Sequence, residues 1–290
     1  MSEQGIRMSG GRGEDAARSW DDFLGVTRPG GSAPGELLLP WRERHLNAPG
    51  AVIHGGIIAT LLHDSALDLA CSRAGVPSDA LRATDCQISF LRAARETDLY
   101  AGASMLRLGR EFSFVDSTVV DDAGRTIAAA RWVLTSHGAD APVEALADPD
   151  ALARGAPGGA GLGRLGDGFN RNMDDRVPGL RLEALSPGRS TMVVPDMPHL
   201  RDAAGQLAPG ILLLAADNSA VFSCFELVVS PRRASTVELA LTLCEPVSGE
   251  DARVLGDSTC RRGDLVHNSC AITGARSGRL KAFGTVSFIV

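Results

Sequence analysis

Residues 54–67 read HGGIIATLLHDSAL, and residues 208–221 read APGILLLAADNSAV. The two stretches align without gaps at a spacing of 154 residues, which places Gly56 on Gly210. Both stretches are apolar with helical spacing, so each predicts a long buried helix. A repeat of this length indicates that the chain contains two copies of one folding unit.

The elements around the two helices repeat in the same order, which is a strand, a long apolar helix and then four strands. In the first half we predict these elements at residues 36–39, 55–75, 84–91, 99–107, 111–120 and 126–135. In the second half we predict them at residues 189–194, 211–227, 236–243, 252–259, 265–273 and 280–289. A long antiparallel sheet wrapped around one helix fits this order, and pairing two such units covers the faces that each leaves open. The predicted fold class is therefore α+β.

Chain length and composition suggest how the units are joined. The 290 residues are enough for two domains. We predict a polar, partly mobile N-terminal segment at 1–35 with a short helix around residues 19–24, a first domain at 36–137 and a second domain at 179–290. The intervening residues 138–178 include the run GAPGGAGLG, whose composition is typical of a linker, with a helix predicted before it at 142–154.

Charge and cysteine content exclude several classes of function. A net charge of −6 argues against a nucleic-acid-binding protein, because phosphate binding needs a basic surface. The six cysteines contain no C-x-x-C pair, so we interpret them as reduced residues, mainly of the core, and not as disulfides or a zinc site. The N-terminus has no signal-peptide core, and no apolar run is long enough to span a membrane. We expect a cytoplasmic protein without a metal or another cofactor.

The motif at the first helix resembles that of a known family. His54-Gly55-Gly56 opens the helix, and residues 83–92 then read ATDCQISFLR. This combination resembles the PaaI-like acyl-CoA thioesterases of the hotdog superfamily, although Ala83 stands where the family pattern has Thr. The resemblance covers residues 36–137 and, more weakly, 181–290. It implies a tandem double hotdog that hydrolyses an acyl-CoA thioester to a free acid and CoA.

The resemblance also implies an active site shared between two hotdog units. One unit supplies the glycine after the His, whose N–H holds the thioester oxygen, together with an Asn upstream. The partner unit supplies an acid nine positions after its own His position and a Ser or Thr on the next strand. The first half matches the former set with Asn47, His54 and Gly55, and the second half matches the latter with Asp217 and Thr236.

The opposite combination of half-sites lacks these groups. His63 occupies the acid position, Asp64 lies one residue late and Ala83 occupies the hydroxyl position. Pro209 stands in the place of the glycine, and proline has no backbone N–H to donate to an oxyanion. The sequence therefore predicts one working site and one inactive site.

The predicted roles follow from the chemistry of thioester hydrolysis. Gly55 donates its N–H at a helix N-terminus, and Asp217 acts either as general base on water or as nucleophile. Thr236 orients the water or the carboxylate, Asn47 helps to hold the water, and His54 orders the loop or assists polarisation. The resemblance places Gly56 at the substrate, and Arg92 is a candidate for the CoA phosphates by position and charge.

Structural roles compete with these functional ones. Gly55 and Gly56 could serve only close packing, Thr236 could be an ordinary strand residue, and Asn47 could be a turn residue. Asp217 lies within an apolar helix, where an unpartnered acid is costly to bury, and this favours a functional role.

Two other functions compete with thioester hydrolysis. The first is non-catalytic acyl-CoA binding or regulation, because half of the apparatus has degenerated. The second is a hydratase of the hotdog type, although the sequence lacks the Asp/His arrangement that such enzymes carry. Single hotdog units usually associate, so pairing of two tandem chains into a homodimer is an open alternative.

Overall fold

The computed structural model describes residues 19–47, 52–136, 162–225 and 235–289. The helices in these residues are α1 (Trp20–Leu24), α2 (Gly55–Ala74), α3 (Gly163–Asp174) and α4 (Pro209–Phe225), with short 3-10 turns at Glu43–His45 and Pro198–Leu200. The strands of the first half are β1 (Leu37–Leu39), β2 (Arg82–Phe90), β3 (Leu99–Leu108), β4 (Phe112–Asp121) and β5 (Thr126–Thr135). Those of the second half are β6 (Arg181–Ser186), β7 (Arg189–Val194), β8 (Ser235–Leu243), β9 (Ala252–Arg262), β10 (Leu265–Gly274) and β11 (Leu280–Ile289).

All these strands lie in one antiparallel sheet, in the order β1-β3-β4-β5-β2-β8-β11-β10-β9-β7-β6. The first five strands pack on α2, and the other six pack on α4. The halves join where β2 pairs with β8, and a hydrogen bond of 2.6 Å from Gln87 Nε2 to Glu238 Oε1 crosses this junction. The predicted α+β tandem double hotdog is confirmed.

Helix α2 is buried on nearly all sides, since it packs between the sheet and helix α4. It begins after His54 and ends at Gly75, whose φ of 66° is the left-handed conformation that glycine adopts easily. The predicted apolar stripe is confirmed, because each of its members is buried: Leu61, Leu62, Ser65, Ala66 and Leu69.

Two glycines bring the central helices into close contact. A Cβ on Gly56 would lie 2.2 Å from Leu214 Cα, and a Cβ on Gly210 would lie 2.1 Å from Thr60 Oγ1. The two glycines are equivalent in the repeat, and so are the two residues that they contact. The helices therefore meet through a pseudo-two-fold contact, like the self-complementary interface of a symmetric dimer.

We expect Gly56→Ala to destabilise the protein by about 1–3 kcal/mol, because the added methyl group would meet backbone that cannot easily move away. Chemical denaturation of the purified variant measures the loss. Gly102→Ala is the matched control, since nothing lies within 4 Å of a Cβ at that position. Equal stability of the two variants would contradict the close helix contact.

Two β-bulges lie at equivalent positions of β2 and β8 and support the alignment of these strands in the repeat. In β2, Ala83 and Asp85 pair with consecutive residues of β5, so Thr84 is the extra residue. In β8, Thr236 and Glu238 likewise pair with consecutive residues of β11, which leaves Val237 as the extra residue. The two bulged residues are 153 positions apart, so Ala83 and Thr236 are equivalent.

Described residues of both predicted polar segments belong to helices. The short helix predicted around residues 19–24 is confirmed as α1, which is docked on the protein with Trp20 fully buried. Within the predicted linker 138–178, residues 163–174 form α3, which packs on β6, a strand that the sequence did not predict. The helix predicted at 142–154 lies outside the described residues.

The cysteines and the helices bear on two further predictions. All six cysteines are free; four are buried, Cys244 is partly exposed and Cys260 is exposed, so the interpretation as core residues fails for Cys260. Among the described helices, none has the length and apolar composition needed to span a membrane.

Candidate active site between the two halves

The central group of the site is Asp217, which lies on α4 and is only 4% exposed. Its Oδ1 accepts a hydrogen bond of 2.5 Å from the hydroxyl of Thr236 on β8. Burial raises the pKa of the Asp217 carboxyl, while the hydrogen bond from the hydroxyl of Thr236 acts in the opposite direction. The result is a buried acid with one oxygen held by a neighbour and the other left for chemistry.

The second oxygen of Asp217 faces the first half of the chain. Its Oδ2 lies 3.8 Å from His54 Nδ1. A Cβ placed on Gly55 would lie 3.1 Å from the same oxygen. The structure thus brings together Asp217 and Thr236 of one half with His54 and Gly55 of the other, which is the combination that the sequence predicted.

Gly55 is the first residue of α2, so its N–H has no acceptor within the helix. The positive end of the helix dipole lies at the same point. A side chain here would meet both Asp217 Oδ2 and, at 3.4 Å, Phe90 Cε1. Glycine therefore leaves room for a ligand oxygen beside an N–H donor.

His54 caps the helix and is 8% exposed. Its Nδ1 accepts a hydrogen bond of 3.2 Å from the N–H of Gly56, and its Nε2 lies 2.9 Å from Asn218 Oδ1. The backbone N–H of His54 donates to the carbonyl of His45 at 2.9 Å, which fixes the entry into the helix. Asn218 was missed in the sequence, where its position directly after Asp217 was the available signal.

Asn47 lies in the segment that leads to His54. Its backbone N–H donates to the carbonyl of Val52 at 2.9 Å. Its side-chain Oδ1 is buried and has no hydrogen-bond partner among the described residues. Among the described residues, the Asn47 side chain makes no hydrogen bond to Asp217. The water-holding role of Asn47 therefore stays a prediction.

The two predicted substrate-binding residues have structural contacts instead. Gly56 packs against Leu214 and, as described above, permits the close approach of the helices. Arg92 is exposed and donates from Nη1 to the carbonyl of Thr126 at 2.9 Å, which holds the turn after β2 against β5. Neither contact excludes a ligand, but neither points to one.

The pseudo-symmetric position, which we call the second half-interface, contains Pro209, His63 and Asp64. Pro209 is the first residue of α4, where its missing N–H leaves no donor. His63 is 4% exposed, lies 2.9 Å from Asp64 through its Nδ1, and meets the edge of Trp132 at 5.3 Å. Burial lowers the pKa of His63 to about 4, so this histidine is neutral and packed.

Helix α1 packs against the second half-interface. Trp20 Nε1 donates to Thr60 Oγ1 at 3.0 Å, and the Trp20 backbone N–H donates to the carbonyl of Arg201 at 2.9 Å. The carboxyl of Asp21 lies near Asp64, and repulsion between the two acids raises the pKa of Asp21 to about 8. The second half-interface is thus filled by groups of the protein itself.

Comparisons with known proteins agree with this architecture. Residues 50–128 match the family model described as "Thioesterase superfamily", and no curated protein matches the chain. A putative thioesterase II from Thermobifida fusca YX is 19% identical and covers 96% of this chain and 99% of its own, with a TM-score of 0.66.

Two further solved structures show the same fold over most of the chain. The acyl-CoA thioesterase II TesB2 of Mycobacterium marinum is 14% identical, covering 93% of this chain and 97% of its own with a TM-score of 0.62. A conserved protein of unknown function with a hot dog fold from Alicyclobacillus acidocaldarius is 16% identical with the same coverage and a TM-score of 0.61. The chain is thus similar to double-hotdog proteins along its length, while the PaaI-like subfamily stays a prediction.

Proposed function

We propose that this double-hotdog chain is a thioesterase that hydrolyses acyl-CoA to a free acid and CoA at one site between its halves. The observation that carries the proposal is the position of Asp217. This buried acid is bonded to Thr236 and directs its second oxygen at the N-terminus of α2, where Gly55 offers a free N–H.

In the proposed reaction, Asp217 Oδ2 takes a proton from a water whose oxygen bonds to the thioester carbon. The carbonyl oxygen becomes an oxyanion and is stabilised by the Gly55 N–H and the helix dipole. When this intermediate collapses, the carbon–sulfur bond breaks and the proton on Asp217 passes to the CoA sulfur. The products are a carboxylic acid and CoA thiol, and Asp217 is again a carboxylate.

We prefer this general-base route because it needs one tetrahedral intermediate. Direct attack by Asp217 would form an anhydride that water must then cleave. The two routes are separated by a single turnover in water labelled with oxygen-18. The base route places the label only in the product acid, whereas attack of water on the aspartyl carbon of an anhydride would place it in Asp217.

Support for an acyl-CoA substrate comes from the resemblance at His54-Gly55-Gly56 and from the names of similar structures, including the acyl-CoA thioesterase II of M. marinum. The family model adds support for the N-terminal half. An acidic chain must then bind the CoA phosphates by local cations, for which Arg92 is the candidate at the end of β2.

The test is a hydrolysis assay over short, medium, long and aryl acyl-CoA thioesters, with CoA release followed by chromatography because Cys260 is exposed and would react with a thiol reagent. We expect hydrolysis of at least one class by the wild type and loss of it in Asp217→Asn. Binding of a thioester without turnover would favour a non-catalytic binding protein. Hydration of an enoyl-CoA without thioester cleavage would favour a hydratase.

A further inference from the structure

Asn218 has a contact that the duplication does not repeat, since the equivalent residue of the first half is Asp64. The Asn218 side chain is 6% exposed, and its Oδ1 lies 2.9 Å from His54 Nε2. Its Nδ2 is buried without a hydrogen-bond partner among the described residues. Asn218 is thus a buried amide from the second half that contacts the capping histidine of the first.

The hydrogen bonds around His54 determine which ring nitrogen carries the proton. Nδ1 accepts the N–H of Gly56, so Nδ1 holds a lone pair. A neutral imidazole carries its one proton on the other nitrogen, so Nε2–H donates to Asn218. The same reasoning assigns the amide oxygen, and not the amide nitrogen, to the contact with His54.

We propose that Asn218 is a positioning residue that holds His54 as the neutral Nε2–H tautomer, so that its Nδ1 lone pair accepts the N–H of Gly56. The inference rests on the proposed function and deepens it. Capped in this way, the first turn of α2 keeps the Gly55 N–H in place beside Asp217 for the oxyanion. Asn218 thereby acts on the reaction through His54 and the helix N-terminus.

The neutrality of Asn218 is central to the inference. An unpartnered buried N–H group is destabilising, and aspartate at this position would avoid that cost. A carboxylate beside Nε2–H would instead favour the doubly protonated imidazolium. That form would have no Nδ1 lone pair for the N–H of Gly56.

Few other ionisable groups approach His54 in the described residues. Asp217 faces it from α4, and His45 contacts its backbone from the preceding turn, where burial lowers the pKa of His45 to about 4. Cys270 of the sheet interacts with Asp217 and Cys86 lies near Cys270, and burial raises the pKa of both thiols to about 12. Among these neighbours, Asp217 is therefore the one whose charge acts most directly on His54.

The experiment measures the tautomer directly by two-bond proton–nitrogen NMR of the imidazoles, with His54 assigned by its absence in His54→Gln. The wild type should show the Nε2–H pattern near neutral pH. Asn218→Asp should instead show the pattern of the doubly protonated imidazolium at the same pH.

Asn218→Leu removes the acceptor while keeping the side-chain size. It should give a mixed tautomer and roughly tenfold lower kcat with little change in KM. Asp64→Asn is the matched control, because it places an amide at the equivalent position of α2 and should leave the His54 signals and activity unchanged.

Two results would overturn the inference. One is an Nδ1–H pattern in the wild type, and the other is an Asn218→Asp variant with the wild-type His54 pattern. Because the NMR readout needs no substrate, it decides the role of Asn218 even if no thioester is hydrolysed. A correct tautomer in a protein without hydrolytic activity would contradict the proposed function alone.

Discussion

Asp217→Asn is expected to reduce kcat by about 10²–10⁴-fold, because an amide cannot accept the proton of the attacking water. The variant keeps the size of the side chain, and its carbonyl oxygen can still accept the hydrogen bond from Thr236. KM should change little, since Asp217 acts on water in the proposed mechanism. Steady-state hydrolysis of the preferred acyl-CoA measures both constants.

The pH dependence of the wild type provides an independent check. The carboxylate is the active form of a general base, and burial raises the pKa of Asp217. Activity should therefore fall on the acid side at a pH above the ordinary range of an aspartate, which is about 3.9. A kcat/KM profile that stays flat down to pH 4 would contradict a buried Asp217 base.

The same pKa shift predicts that Asp217→Asn increases stability near neutral pH. An acid whose pKa is higher in the folded state than in the unfolded state favours folding while it is protonated. That contribution is complete below the unfolded pKa and is lost as the pH rises through the folded pKa. Denaturation of both proteins should show a more stable variant at pH 7 and a difference that vanishes near pH 3.

A stable but inactive Asp217→Asn variant would separate chemistry from folding. Asp64→Asn supplies the comparison, since Asp64 lies in the second half-interface. Similar losses of activity in the two variants would contradict the hypothesis of a single working site.

Much of the architecture was accessible from the sequence because the two halves repeat both helix and strand signals. The spacing of 154 residues between the helices superimposes Gly56 and Gly210, and the structure shows that these glycines make equivalent contacts. The bulges at Thr84 and Val237 fall at the spacing that aligns Ala83 with Thr236. The repeat, combined with the family resemblance at His54-Gly55-Gly56, therefore predicted the placement of Asp217 and Thr236 opposite Gly55.

Other features depend on contacts between distant segments that no local pattern records. Asn218 contacts His54 across 164 residues, and its position directly after Asp217 does not show which residue of the other half its side chain reaches. Trp20 docks on Thr60 from a polar segment whose composition is typical of a mobile terminus. Arg92 bonds to the carbonyl of Thr126, a contact that depends on the pairing of β2 with β5.

Gly55→Pro is expected to lower kcat by about 10²–10³-fold, because it removes the N–H that we propose for the oxyanion. The helix should still form, since proline is favoured at the first helical position. His54 has φ −63° and ψ 134°, which suits a residue before proline. The chain itself starts α4 with Pro209 at the equivalent position.

Gly55→Ala separates the lost donor from added bulk. Alanine keeps the N–H but places a Cβ 3.1 Å from Asp217 Oδ2 and 3.4 Å from Phe90 Cε1. Both variants crowd the site, and only the proline removes the donor. A kcat for Gly55→Ala as low as that of Gly55→Pro would show that space, and not the N–H, is what the reaction needs from Gly55.

Pro209→Gly tests the same reasoning in the opposite direction. It restores an N–H at the start of α4, but the second half-interface still has His63 at the acid position and a docked α1 above it. We therefore expect the variant to have the kcat of the wild type per chain, because the second half-interface stays inactive. A doubling of the rate would show that the missing backbone N–H alone made the second half-interface inactive. An unchanged rate would show that the loss of the acid and the docking of Trp20 have made the second half-interface a purely structural contact.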